Sequence, residues 1–334
     1  MKNVLNDDAP ASSLRAPIPE SARGFDSKRS VSPSTHHAIL VGEVAIEAGD
    51  GRKRTPFSVA STSGDALIVF SQLGDNQGWV LDRFRAGAHA GVVATFSPDV
   101  LLQPTGVAIA EDESLYVVDA DRCVVLKCSP TGEVLETLGS EGTDEGQLLG
   151  PRDIDIGRDG RIIVADSENH RVQIWSPTGD VLLCLAAEVN EDDESRFLQS
   201  GQATGEFFRP LGVTFDSSGR TWVADTNNHR IQRFSADGQF DLAFGIEGTT
   251  AGHLQFPIDV RVDHSGRAVI ADLGGKRLQW FSPSGQLECA IVALEAIPEH
   301  THVADVAIDD DGDVCIPVGP LARVFRVRRG EAIR

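Results

Sequence analysis

The sequence predicts an all-β fold: a six-bladed β-propeller of four-stranded antiparallel blades, with the last blade closed by an N-terminal strand. Three observations predict it. A unit of short β-rich runs separated by glycine turns recurs six times from Pro56 onward. Each run has strand length and is bounded by turn residues, the pattern of an antiparallel meander. One such unit exposes too much apolar surface to be stable alone, so recurrence implies units stacked around a ring. Third, the last unit is short of a fourth strand, and the first strand-like run of the chain has no unit of its own.

Residues 1–36 are rich in Ser, Pro, Ala and charge without any period, and read as a flexible tail ahead of a propeller over 37–334. Ala38-Ile39-Leu40-Val41 and Val44-Ala45-Ile46 make the orphan strand. The units then open at Pro56, Pro104, Pro151, Pro210, Pro257 and, by alignment, Val303, with spacings of 48, 47, 59, 47 and 46 residues. In the clearest unit, residues 210–239, Val213 to Asp216 is the first run and Ser218-Gly219 the first turn. Thr221 to Ala224 is the second run, closed by Asp225. The polar loop Asn227-Asn228-His229-Arg230 follows, then a third run through Phe234 and a turn at Asp237-Gly238. The second turn recurs as Ser-Pro-Thr-Gly at 129 and 176, Ser-Ala-Asp-Gly at 235 and Ser-Pro-Ser-Gly at 282. Too few residues follow Gly330 for another strand, so Ile39 to Ile46 is expected to complete the last blade and remove the open edge of the ring.

The residues that recur resemble the NHL repeat family. The resemblance rests on Asp166-Ser167-Glu168-Asn169-His170-Arg171-Val172, on Asp225-Thr226-Asn227-Asn228-His229-Arg230-Ile231, and on the connectors 139–151 and 245–257. It covers about 290 residues and weakens at both ends, where Arg122-Cys123-Val124 and Gly275-Lys276-Arg277 replace Asn-His-Arg. It implies a ring-shaped scaffold that binds a protein or peptide.

Composition narrows the function. The chain has 334 residues, 41% of them hydrophobic, and a formal net charge of −20. That balance disfavours nucleic acid and anionic membranes as partners. Only one tyrosine is present, leaving few aromatic platforms for bases. Five cysteines, Cys123, Cys128, Cys184, Cys289 and Cys315, show no metal-ligand spacing and fit reduced thiols in a cytoplasmic protein. No apolar run is long enough to span a membrane. A monomer is expected.

Tight turns on one face of the disc offer little to grip, whereas the longer polar connectors on the other can build a site. The binding face is therefore assigned to Arg152, Arg171, Arg209, Arg230, Arg277 and Phe197, the last within the long connector before Pro210. The repeated Asp119, Asp166, Asp225 and Asp272 are expected to bind their own loop amides, and the repeated arginines to bridge to carbonyls or neighbouring blades. Residues that break the repeat are better functional candidates. Two positions past each opening residue, near the channel mouth, stand Ser58, Gly106, Asp153, Gly212, Asp259 and Asp305. Three carboxylates facing one channel repel unless protonated, solvated or bridged by a cation. Oxygen ligands suit Ca²⁺ or Mg²⁺, with Asp153, Asp259 and Asp305 as the metal ligands. The other readings are a hydrated channel, or aspartates that cap backbone.

Two functions follow. The first is a non-catalytic protein- or peptide-binding scaffold, since no GxSxG elbow or HExxH motif is present. The second is a metal-assisted hydrolase of lactonase or esterase type, or a lyase, with His302 as acid or base.

Overall fold

Valine, isoleucine and aromatic residues fill the runs between the glycine turns, and each run is a strand. The computed structural model describes residues 38–45, 54–62, 66–74, 77–85, 88–186, 200–292, 305–309, 311–318 and 323–329. Phe197, His302 and most of the long connector lie outside these residues.

Six four-stranded antiparallel sheets follow one another along the chain. The first blade contains β2 (Arg54–Thr62), β3 (Ala66–Leu73), β4 (Trp79–Arg85) and β5 (Ala88–Phe96). The second contains β6 (Pro104–Ile109), β7 (Leu115–Asp119), β8 (Val124–Cys128) and β9 (Val134–Leu138). The third contains β10 (Ile154–Ile156), β11 (Ile162–Asp166), β12 (Arg171–Trp175) and β13 (Val181–Leu185). The fourth contains β14 (Val213–Phe215), β15 (Thr221–Asp225), β16 (Arg230–Phe234) and β17 (Phe240–Phe244). The fifth contains β18 (Pro257–Val262), β19 (Ala268–Asp272), β20 (Arg277–Phe281) and β21 (Leu287–Val292). The sixth takes β22 (Ala307–Ile308), β23 (Val314–Val318) and β24 (Arg323–Arg329) from the C-terminal end and β1 (Ala38–Ala45) from the N-terminal side.

The closure expected from the chain ends is present. β1 pairs antiparallel with β24, from Ala38 opposite Arg329 to Ala45 opposite Arg323. Consecutive first strands contact one another around the ring, and β2 contacts β22 across the closure.

The hydrophobic core is divided among the blade interfaces. One buried cluster joins blades one and two through Ile68, Phe70, Leu81, Leu115 and Val117. The sixth interface joins Val59, Val69 and Phe84 to Ala307, Cys315 and Val324. Four further clusters fill the interfaces between. Second strands are sandwiched on both faces, so β11, β15 and β19 are buried at every position and their sequences read as continuous apolar runs. Tyr116, expected in the core on a second strand, is buried there. The second-turn glycines 132, 179, 238 and 285 hold φ between +77° and +84°, which explains why glycine recurs there. Four of the five cysteines are buried and Cys184 is half-buried.

The opening prolines mark a repeated irregularity. The β2–β3, β6–β7 and β18–β19 ladders each slip, between Pro56 and Ser58, Pro104 and Gly106, and Pro257 and Asp259. Proline has no N–H to give the ladder. The slip re-aims the next side chain, as bulges do, and that side chain belongs to the channel register.

Candidate functional site

The channel register is a chain of carboxylate-to-amide links between blades. Asp153 Oδ2 of blade three accepts from Val213 N of blade four at 2.9 Å. Asp259 Oδ2 of blade five accepts from Val306 N of blade six at 2.9 Å. Asp305 Oδ2 of blade six accepts from Val59 N of blade one at 3.0 Å and from Ser58 Oγ at 2.7 Å. Each carboxylate thus reaches the amide just past the equivalent position of the next blade. Gly212 provides the space for one of them, since a Cβ there would meet Asp259 Cα at 2.5 Å and Oδ1 at 2.6 Å.

The sequence reading brought Asp153, Asp259 and Asp305 together, and the structure does too, but around a guanidinium. Arg261 Nη1 lies 3.1 Å from Asp153 Oδ2 and 3.3 Å from Asp259 Oδ1, and Nη2 lies 3.1 Å from Asp305 Oδ1. It also donates to carbonyls of both neighbouring blades, Nη1 to Val213 O at 2.7 Å and Nε to Val306 O at 3.0 Å. One side chain therefore ties four blades. Burial alone would lower the Arg261 pKa, but the three carboxylates outweigh it and hold the pKa well above the ordinary value. Burial pushes the Asp259 carboxyl well up against the pull of Arg261, and Asp305 and Asp153 push further in the same direction. Asp153 is also raised by burial, with Arg261 opposing.

This changes the expectation of Ca²⁺ or Mg²⁺ on these aspartates. Every oxygen of the three carboxylates is bonded to Arg261, a backbone N–H or the Ser58 hydroxyl. Among the described residues, no cluster of three or more His, Cys, Asp and Glu side chains is placed to hold a metal ion. The donor set does not fit a resident divalent metal, because its cation is built into the chain. Arg261 stands one register further along the first strands than these aspartates. Residues i and i+2 of a strand share a face, and the next register reads Ala60, Ala108, Asp155, Thr214, Arg261 and Ala307. One long cation among small side chains and one carboxylate was the available signal.

Above this layer, on the connector face, lies a cup of about 440 Å³. Phe57, Pro104, Leu211, Ile258 and Leu273 give it apolar walls, Arg152 and Arg209 line it, and the three aspartates lie at its base. On the turn face a smaller cavity of about 170 Å³ is lined by Arg261, Asp155 and Thr214 among apolar residues.

The other arginines assigned to the binding face divide by burial. Arg171 and Arg277 are 2% and 5% exposed and do not form an accessible surface. Arg171 Nε binds Asp166 at 2.6 Å, and its two Nη groups bind Thr143 O, Asp144 O and Gln147 O at 2.7–2.8 Å. Arg230 repeats this with Asp225 at 2.7 Å and with the carbonyls of Gln202, Ala203 and Glu206. These arginines fasten the incoming connector to its own blade. The aspartates do likewise: Asp166, Asp225 and Asp272 accept from the connector amides of Leu149, Phe208 and Gln255 at 2.6–2.8 Å, and Asp119 accepts from the connector amides of Leu102 and Gln103 as well as from the expected loop amide, that of Arg122. Gln173, Gln232 and Gln279, two residues past each arginine, complete the clamp and had not been singled out. Their recurrence at fixed spacing was the signal.

His170 and His229 are structural too. Both stand in left-handed backbone, φ +53° and +55°. Their Nδ1 atoms accept from Arg209 N at 3.1 Å and Phe256 N at 3.2 Å, just ahead of the next blade's opening proline.

A family model described as NHL repeat matches residues 148–175 and 207–234, the segments that carry the Asp, Arg and Gln side chains of this clamp in the third and fourth blades. The chain carries NHL repeats at these two positions of a six-bladed β-propeller. Protein brain tumor of Drosophila melanogaster is 44% identical over 50 residues, 15% of this chain and 5% of that protein. Protein lin-41 of Caenorhabditis elegans is 46% identical over 44 residues, 13% of this chain and 4% of that protein. The NHL-repeat match therefore spans a small part of these relatives' length. Among solved structures, a gluconolactonase from Xanthomonas campestris superposes with TM-score 0.58 at 15% identity, covering 86% of this chain and 89% of its own. A catalytically inactive virginiamycin B lyase from Staphylococcus aureus with quinupristin gives 0.56 at 10% identity, covering 86% and 98%. At these identities the likeness is one of fold. No helix among the described residues is long and apolar enough to cross a membrane.

Proposed function

We propose that this NHL-repeat propeller is a non-catalytic scaffold that docks a protein or peptide on its connector face. The observation that carries the reading is the cup at the centre of that face, with apolar walls of Phe57, Leu211, Ile258 and Leu273 and two lining arginines. A concave apolar site with a few polar groups is the usual form of a ligand-binding pocket. The alternative, a divalent-metal hydrolase or lyase with a channel site, has the fold likeness in its favour. Against it stands Arg261, which occupies the carboxylates that a channel metal would need.

A peptide library displayed on phage and selected on the full chain tests the reading. Selected peptides are expected to lose binding to the Leu211→Glu variant and to keep it when the turn-face Ser176→Ala change is made. Peptides that bind both variants equally would place docking elsewhere and sink the proposal.

A further inference from the structure

Among the described residues the cup contains one cation, Arg152, with no partner for its side chain. Arg152 lines it, and the Arg152 Nε is shielded from solvent without a hydrogen-bond partner. The neighbouring cations are committed: Arg209 pairs with Glu168, and Arg261 is held by Asp153, Asp259 and Asp305. Those three aspartates are equally committed. Besides Arg261, they accept from the amides of Val213, Val260, Val306 and Val59 and from the Ser58 hydroxyl. The floor therefore has no open oxygen for Arg152, and no carboxylate among the described residues pairs with it. A buried donor left unmatched costs free energy that an acceptor would recover, and for a charged donor the recovery is larger.

We propose that the cup is a carboxylate-binding site: Arg152 receives the carboxylate, and Phe57, Leu211, Ile258 and Leu273 receive an apolar group attached to it. Charge complementarity selects the anion, since Arg152 is the unmatched charge of the cup. The guanidinium fork selects a planar two-oxygen acceptor. The volume, about 440 Å³, suits one branched or aromatic group with its carboxylate. The inference rests on reading the connector face as a docking surface, and names the chemistry that surface takes. The carboxylate is that of a peptide, the occupant proposed for this face, and a free small acid is the competing outcome of the test.

The test uses ligand-detected NMR on the full chain with three probes of one shape: phenylacetate, phenylacetamide and benzylamine. Phenylacetate is expected to bind saturably and more tightly than the other two, a ranking that requires no variant. Arg152→Gln is expected to weaken it at least about tenfold, and Arg152→Lys less, since the charge stays while the fork is lost. A peptide with an apolar C-terminal residue is then compared with its C-terminal amide and with an amidated peptide carrying an internal glutamate. Tighter binding of either carboxylate peptide than of phenylacetate assigns the site to peptides, and the reverse assigns it to small acids. Benzylamine or phenylacetamide binding as well as phenylacetate, or no effect of Arg152→Gln, overturns the proposal. If all three probes fail while phage-selected peptides still dock at Leu211, the carboxylate site falls and the docking surface stands. If phenylacetate binds through Arg152 and no peptide docks, the converse holds.

Discussion

Arg261 and Asp153, 108 residues apart and two blades apart in the ring, form a two-pronged ion pair, with Nη1 to Oδ2 at 3.1 Å and Nη2 to Oδ1 at 3.2 Å. The same guanidinium holds Asp259 and Asp305. The central channel of this propeller is therefore divided by a layer of charge, with the cup on one side and the smaller cavity on the other. The layer is also a fastening, since each carboxylate reaches the next blade's backbone.

Removing the cation leaves three buried carboxylates facing one another. Arg261→Ala is expected to cost about 3–5 kcal/mol, the range for breaking a buried pair from one side. Millimolar guanidinium should restore part of the lost melting temperature in that variant and do nothing for the parent protein. Calcium, which lacks the planar donors, should not substitute. Recovery with calcium equal to that with guanidinium would show that the layer needs only positive charge; no recovery with either would show that Arg261 acts through packing.

Asp259 is the carboxyl of this layer whose pKa is raised well above its ordinary value of 3.8, by burial first, with Asp305 and Asp153 adding to it and Arg261 opposing. A folded-state value above the unfolded one means stability that is fully present below the unfolded value. That stability is lost as pH rises through the folded value, where a buried carboxyl must ionise. Asp259→Asn carries no charge at any pH. The variant's deficit in unfolding free energy relative to the parent should therefore shrink as pH rises above the ordinary carboxyl value of 3.8. Urea unfolding at several pH values measures it, and a deficit that grows with pH would contradict the assignment.

The ring was readable from the sequence because its determinants are local and repeated. Glycine turns, apolar runs and the Asp-to-Arg spacing recur, so six blades and the closing strand follow from counting. The channel layer was readable only in part. Asp153, Asp259 and Asp305 break the repeat and were visible as exceptions, but their partners are not local: Val213 lies 60 residues from Asp153, and Arg261 lies 44 from Asp305. Nothing in local pattern says which long side chain reaches the axis. The bridging of Arg171 and Arg277 to carbonyls was legible from their recurrence, but their burial was not. Their polarity suggested a surface, whereas recurrence with Asp and Gln at fixed spacing marked an internal clamp that satisfies connector carbonyls.

Gly212 tests the blade-to-blade fit without altering a charged residue, although a methyl group there meets Asp259. A methyl group there would stand 2.5 Å from Asp259 Cα and 2.9 Å from Ile258 O, so backbone must move. At Gly106, the equivalent position two interfaces away, the nearest atoms are at 3.1–3.2 Å. Gly212→Ala is expected to cost about 1–3 kcal/mol, as overpacking does, and Gly106→Ala clearly less. Chemical denaturation of the two variants side by side gives the comparison. Equal losses would mean that the ring relaxes alike at both interfaces.

The closing strand offers the last test. β1 covers the outer edge of β24 over the register Ala38–Arg329 to Ala45–Arg323. Without it the sixth blade would present an unpaired strand, and bare edges template pairing between molecules. Deleting residues 1–45 should lower the melting temperature and produce self-association that grows with protein concentration, whereas deleting 1–34 should leave both unchanged. A synthetic peptide of residues 36–47, added in trans to the longer deletion, should suppress the association by re-forming the β1–β24 ladder. The decisive comparison is the same peptide with Val44→Pro, which removes one N–H from that ladder and sterically opposes the rest. Equal suppression by the two peptides would mean that the added segment acts without pairing to β24, and the closure would then owe its stability to the blade interfaces alone.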